Sequence, residues 1–267
     1  MAILDGDLRF TGPLGMFSAY KMAGTDKTVI RRKAGPSKEQ IKKLPQFQRT
    51  RENIAEFGAS SMAGTSIRDA VCMVRHLSDY NYSGTLNRLC KKVQLEDPVR
   101  NRGQRQVEWA QWRHWLNGFN FNKKYQFDHL IHLPVAFQVN RAQASAVVTI
   151  PQLHPGFHVA FPWQHPYFRF TLTLGSAVDV VYGKHGFKLA DGGAMDGFRA
   201  YVDTSWAHCT HVFPETSIEL QIPGIEDVPA HITLLLAIGV EMGTPNGAGT
   251  NISPVRRAGS AKILQAF

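Results

Sequence analysis

Cysteine is scarce in this 267-residue chain: Cys72, Cys90 and Cys209 form no CxxC pair, which excludes a disulfide framework and a zinc ribbon. Reduced thiols packed as small hydrophobes are the expectation. Charged residues are also few, 19% against 43% hydrophobic, which places the chain outside the disordered class and predicts a packed core. No apolar run approaches the roughly 20 residues of a bilayer-spanning helix; the longest, Ile232 to Val240, reads as a strand. The opening, Met1 to Asp7, has no basic segment followed by an apolar one, so neither a secretory leader nor a particular compartment is expected. A Gly-x-Ser-x-Gly elbow, a phosphate-binding loop, a dinucleotide fingerprint and a closely spaced His-x-His with a downstream Glu are all missing, leaving catalysis and cofactor binding without an anchor.

What the chain does have is uneven charge. Net charge is +9, yet residues 1–124 hold 22 Lys and Arg against 11 Asp and Glu, whereas residues 125–267 hold 8 against 10. A cationic front suits a polyanion or an acidic protein surface.

Local patterns divide the chain into four stretches. Residues 1–64 read as a basic arm with a β-hairpin, its strands near Met16–Met22 and Thr28–Arg32 split by the turn residues Ala23-Gly24-Thr25-Asp26. Ser37 and Gln40 have capping-box spacing, and Thr50 is placed to cap a short helix towards Glu56. Residues 65–124 read as helical. Ile67, Val71, Val74 and Leu77 predict a helix over Ser66–Tyr80, Leu86, Leu89, Cys90 and Val93 a second over Thr85–Leu95, and Trp109, Trp112 and Leu116, with Trp115 beside them, a short aromatic helix. Residues 125–245 turn to alternation: strands are expected at Val135–Val139, Ala144–Ile150, Phe168–Leu174, Ala177–Tyr182, Arg199–Trp206, Thr216–Ile222 and His231–Val240. Residues 246–267 read as a tail. Gly243 to Arg257 is loop-like or dependent on pairing, and Ala261 to Phe267 is apolar enough to dock within the subunit or on a neighbour. The fold class predicted is α+β, with an N-terminal arm, hairpin and short helices ahead of an antiparallel, jelly-roll-like β-sandwich.

Eight of eleven histidines fall between His129 and His211. His154 and His158 with His165, or Cys209 with His211, were they to converge, would suit a metal, but loop placement and missing partners favour ordinary polar histidines, so no metal site is predicted. Asp191, Asp196 and Asp203 lack a paired acid at a telling spacing and read as turn or surface residues; the Gly192–Gly197 run reads as a strand connection. Arg31, Arg32, Lys33, Lys42, Lys43, Arg49 and Arg51 are the candidates for an assembly or polyanion contact, with Lys91, Lys92, Arg100, Arg102 and Arg105 near the tryptophans as a second cationic cluster. Trp163 and Trp206 are candidates for aromatic contact with a ligand such as a sugar.

The motifs Gly12-Pro-Leu-Gly15, Tyr20-Lys21-Met-x-Gly24, Arg31-Arg32-Lys33, Ser37-Lys-Glu-Gln40 and Arg49-Thr-Arg51-Glu-Asn53 resemble the opening shared by a group of bacterial proteins to which no activity is assigned. The resemblance covers about the first quarter of the chain and implies no activity and no site residue. The functional expectation rests on charge and architecture: a non-enzymatic structural subunit without cofactor, whose partner is itself, assembling into a filament, tube or shell through the arm and the tail. The alternatives are a nucleic-acid-binding or packaging, capsid-like protein, and a carbohydrate-binding or metal-dependent β-sandwich.

Overall fold

The structure is a computed structural model that describes residues 2–4, 10–22, 25–33, 35–225, 227–247 and 251–267. Two compact units divide it, Met1–Arg51 and Glu52–Phe267.

The first unit is a small antiparallel sheet and a helical turn. Strands β1 (Ala2–Leu4), β2 (Gly12–Leu14), β3 (Phe17–Lys21) and β4 (Thr28–Arg32) lie in the order β1-β4-β3-β2. The expected hairpin is β3–β4, with Lys21 opposite Thr28; Ala23 and Gly24 of its predicted turn lie outside the described residues. The predicted capping box forms at helix α1 (Lys38–Lys43): the Gln40 amide donates to Ser37 Oγ at 3.2 Å, and the Ser37 amide to Gln40 Oε1 at 2.7 Å.

Helix α2 (Gln48–Ala70) starts in the first unit and is mostly part of the second. The boundary drawn at residue 64 from sequence therefore falls inside a continuous helix. The helix predicted over Ser66–Tyr80 is also corrected, since the chain leaves the helical path after Ala70 and continues in tight turns to Arg75–Leu77. Its periodicity nevertheless marked burial correctly, because Ile67, Val71, Val74 and Leu77 are all buried. What hid α2 is its inward stripe of Ala59, Ser60, Ala63, Ser66 and Ala70, too small and too polar to read as an apolar face. Helix α3 (Ser83–Leu95) follows as expected, with Leu86, Cys90 and Val93 inward. The aromatic helix is reduced to turns and one 3₁₀ turn, Arg113–Leu116, and a last short helix is α4 (Phe127–Leu130).

Nine β-segments come next: β5 (Ala136–Asn140), β6 (Ser145–Ile150), β7 (Tyr167–Val178), β8 (Val180–Gly183), β9 (Gly186–Leu189), β10 (Arg199–Asp203), β11 (Ala207–His208), β12 (Thr216–Gln221) and β13 (Ile232–Asn246). The predicted tail is a tenth, β14 (Asn251–Ala266), paired with β13 from Leu235–Ala266 to Asn246–Asn251. A central sheet runs β10-β7-β13-β14 with β11 on β7, a second runs β12-β6-β5, and β8 and β9 form a hairpin. All pairings between these strands are antiparallel, giving an α+β fold with a β-sandwich-like domain.

The middle strands of the central sheet, β7 and β13, are buried on both faces along most of their length. Along β13, Leu234, Leu236, Ile238, Val240 and Met242 point to the second sheet, meeting Ala146, Val148, Ile150 and Leu220. Leu235 and Ala237 point the other way, to Ile67, Val71, Val74 and Leu86. On the helical side the layers are unusually close: a Cβ added at Gly175 of β7 would stand 2.0 Å from the Ala70 carbonyl oxygen, and one at Gly239 2.4 Å from Leu77 Cδ1. Gly175→Ala therefore meets backbone that cannot swing aside. A loss of about 1–3 kcal/mol is expected in urea unfolding; wild-type stability would contradict this packing.

Candidate interaction surface

The described residues of the first unit form almost no core. Among its described residues only Ala19 and Val29 are buried apolar side chains, while Leu14, Met16, Phe17, Tyr20 and Met22 are 37–60% exposed. Register explains the arrangement. Leu14 is opposite Phe17, and Phe17 is opposite Arg32, so two large apolar groups and a cation share one face at the hairpin end. Gly15, at φ +52°, supplies the left-handed residue of the turn joining β2 to β3.

The arm's cations divide between this sheet and α1. Arg31 and Arg32 end β4 and are exposed, with the Arg31 guanidinium 5.6 Å from the Tyr20 ring centre. Lys33 is exposed and its Nζ donates to the Gly15 carbonyl at 3.1 Å. Lys42 and Lys43 stand exposed in the last turn of α1, where they also favour its dipole. Arg49 is exposed. Arg51 differs: its guanidinium donates to the Ile41 and Leu44 carbonyls at 2.7 and 2.9 Å, closing the end of α1. The first unit carries 11 Lys and Arg against 4 Asp and Glu, the second 19 against 17.

The second cationic cluster is largely spent on its own chain. Lys91 pairs with Glu56, which is 1% exposed; Arg105 Nε lies 3.8 Å from the same carboxylate and the Gly103 amide donates to it at 2.9 Å. Gln94 Oε1 accepts from Lys91 and from Ser60 Oγ, and its Nε2 donates to the Arg105 carbonyl. Arg100 reaches Asp97 at 3.2 Å, and Arg102 reaches Asn53 at 2.7 Å. Lys92 lies 4.1 Å over the Trp115 ring, and Trp109 is buried. The sequence shows a cluster of like charges, but Glu56, 35 residues before Lys91 and invisible to a local reading, and the nearby Asp97 neutralise much of it.

The remaining candidates are also engaged. His154 and His158 stack edge to face at 5.5 Å, His165 Nδ1 is 3.2 Å from Thr244 Oγ1, and the Cys209 thiol donates to the His165 carbonyl. Among the described residues no three metal-ligating side chains converge. Cys90 is buried, which pushes its thiol up to about 12. Ser66 Oγ donates to Asp196, His231 approaches Asp191 at 3.1 Å, and Asp203 accepts from Thr171 Oγ1 and pairs with Arg169. Trp163 packs edge to face on Tyr125 at 5.2 Å and against the sandwich core. Trp206 lies under the Arg169 guanidinium, 4.6 Å away, beside Gly243, where any Cβ would strike its ring at 2.6 Å.

Sequence reasoning missed a buried carboxylate on β13. Glu241, opposite Arg169 in register and 2% exposed, accepts from Arg169 Nε at 2.6 Å and is 3.1 Å from His76 Nε2. Burial raises its pKa, but the hydrogen bonds and charge of His76 and Arg169 outweigh that and hold it below the usual carboxylate range. Glu56 is governed likewise: burial raises it, and Lys91, the Gly103 amide and Arg105 pull it lower still. Asp179 is the opposite case. Burial dominates and lifts it to about 7, although the Trp109 amide donates to it at 2.8 Å and Arg113 and Arg141 oppose the rise.

These shifts give opposite pH signatures. Glu56, depressed in the folded chain, stabilises fully above the ordinary carboxylate range and loses that contribution as pH falls through its folded value. Glu56→Gln should cost about 1–3 kcal/mol at pH 7, a gap that thermal melts should show closing below pH 4. Asp179, raised when folded, costs stability as pH climbs from its unfolded value near 4 to its folded value near 7. Asp179→Asn should raise the melting temperature relative to wild type at pH 8 more than at pH 4; equal effects at both would refute the assignment. Comparison with protein-family models, curated proteins and solved structures gave no match that would place the chain in a family.

Proposed function

We propose that the chain is a non-enzymatic structural subunit that self-assembles through its first unit. One observation carries this reading: among the described residues of a four-stranded sheet, Leu14, Met16, Phe17, Tyr20 and Met22 are left in water, Leu14 and Phe17 beside Arg32 on one face and Tyr20 beside Arg31 on the other, with only Ala19 and Val29 as buried apolar residues. Burying a fully exposed side chain of this kind gains roughly 1.5–3 kcal/mol; these are 37–60% exposed, so each gains about half of that or less on contact, and together they are stabilised by a partner surface. A second copy is the partner proposed, since contacts between unlike surfaces of two copies propagate into filaments or close into rings. The C-terminal segment does not share this role. Its strand β14 is paired with β13, and Gly118, Phe119 and Phe121 bond to its other side at Ile263 and Ala261. Among the described residues no helix is long and apolar enough to cross a membrane.

A second reading, binding of nucleic acid by the arm, is favoured by the exposure of Arg31, Arg32, Lys33, Lys42 and Lys43. Its affinity would fall steeply with salt as counterions are released. Sedimentation of the purified chain separates the two. Self-assembly predicts large particles without added nucleic acid, reduced to small species by Leu14→Ser with Phe17→Asp while the melting transition of the second unit is kept. A monomer at every salt and protein concentration would overturn it.

A further inference from the structure

Edge strands are normally defended by charge, proline, bulges or cover, since their free backbone groups template pairing with another chain. Three edges of the sandwich follow that rule. On β14, residues 118–121 bond to the outer side, Arg256 and Arg257 lie along the strand, and the register slips between Glu241 and Gly243 of its partner. Strand β10 has Arg199 and Asp203 at its ends, and β12 has Glu219 in its middle. The fourth edge, β5, has none of these. Its sequence is Ala-Phe-Gln-Val-Asn, all five residues are exposed, and its register with β6 runs without a slip from Ala136–Thr149 to Asn140–Ser145.

Two further features single it out. Phe137 and Val139 lie on the side of the sheet that β6 buries, opposite Val148 and Ala146, yet are 36% and 37% exposed because neither belongs to the core cluster beneath. The strand is also held rigidly. Arg141, which follows it, donates to the carbonyls of Phe267, Pro229 and Ile232 at 2.8, 2.6 and 2.7 Å, tying the β5–β6 turn to the residue after β14, to the loop before β13 and to the first residue of β13. A fixed strand loses little entropy on pairing.

We infer that β5 pairs antiparallel with β5 of a second copy, joining two three-stranded sheets into one of six about a twofold axis at Gln138. The occupant follows from the strand's own sequence. Centred on Gln138, the pairing sets Phe137 opposite Val139 of the second copy, twice, and Gln138 opposite itself. Aromatic against β-branched is a favourable cross-strand pair, and with no charge on the strand no like-charge pair arises. Five residues a side bury far less than the roughly 800 Å² per partner of a stable interface. The contact is therefore weak alone and acts together with the first unit's surface, the self-assembly reading on which it rests.

Mild oxidation of full-length Gln138→Cys tests it, because twofold-related residues of such a pair have Cα atoms roughly 4.5–5.5 Å apart, within disulfide reach. The expected result on a non-reducing gel is a dimer band several-fold above that of Ser217→Cys, an exposed control on the far strand of the same sheet, and its loss when Val139→Lys is added. Cross-linking no greater than the control, or unchanged by Val139→Lys in a chain of wild-type melting temperature, would overturn the inference. The two readings fail separately. Particles that form without the cross-link sink this pairing alone, whereas a cross-link that survives in a chain forming no larger particle sinks the first-unit surface alone.

Discussion

The second unit depends on one constraint: β13 must be buried on both faces at once. Its alternate residues serve two cores, large aliphatic side chains towards the second sheet and smaller ones towards the helices. The helical face is where space is tightest. Gly175 and Gly239 remove the side chains that Ala70 and Leu77 would strike, and α2 answers with Ala59, Ala63 and Ala70. The backbone approach this allows brings Ser66 into the sheet's bonding, its hydroxyl accepting from the Val178 amide at 2.8 Å. Close layers also shut out water, which is why the acids at their borders are strongly partnered or, like Asp179, raised in pKa.

Charge is distributed by the same logic. Where cations border a core they are drawn into service: Lys91 and Arg105 on Glu56, Arg169 on Glu241 and Asp203, Arg141 on backbone carbonyls. These contacts fix helices and strands and leave less positive field than the sequence total suggests. The described residues of the first unit form no comparable interior; Arg31, Arg32, Lys42 and Lys43 remain exposed, as do apolar groups of its sheet. A surface that combines both is suited to contact with another macromolecule, the apolar part supplying affinity and the charge orientation.

Alternation made the strands legible in sequence, from Phe168–Leu174 to His231–Val240, and the spacing of Ser37 and Gln40 revealed a capping box that the structure contains. Two elements escaped for a shared physical reason. Helix α2 and strand β14 lie where layers approach closely, so many of their inward positions are Ala, Ser and Gly, residues that a hydrophobic pattern scores as loop. The same small residues that made Gly259, Ser260 and Ala261 look like tail allow them to be buried between the sheet, Leu77 and Asn122. Long-range pairs such as Glu56 with Lys91 and Glu241 with Arg169 could not be inferred from spacing at all. The bare face at Leu14 and Phe17 was hidden because a short β-prone run does not reveal whether anything covers it.

The second unit is a body clamped about its central sheet, and the first is a small sheet that, in the proposed reading, finds its stability in contact with other copies. Hydrogen exchange followed at several protein concentrations tests that division most directly. Amides of β7 and β13 should exchange last at every dilution, while those of β3 and β4 should exchange early in dilute protein and become protected as concentration rises. First-unit amides as slow as those of β13 in dilute protein, or equally fast at all concentrations, would contradict it.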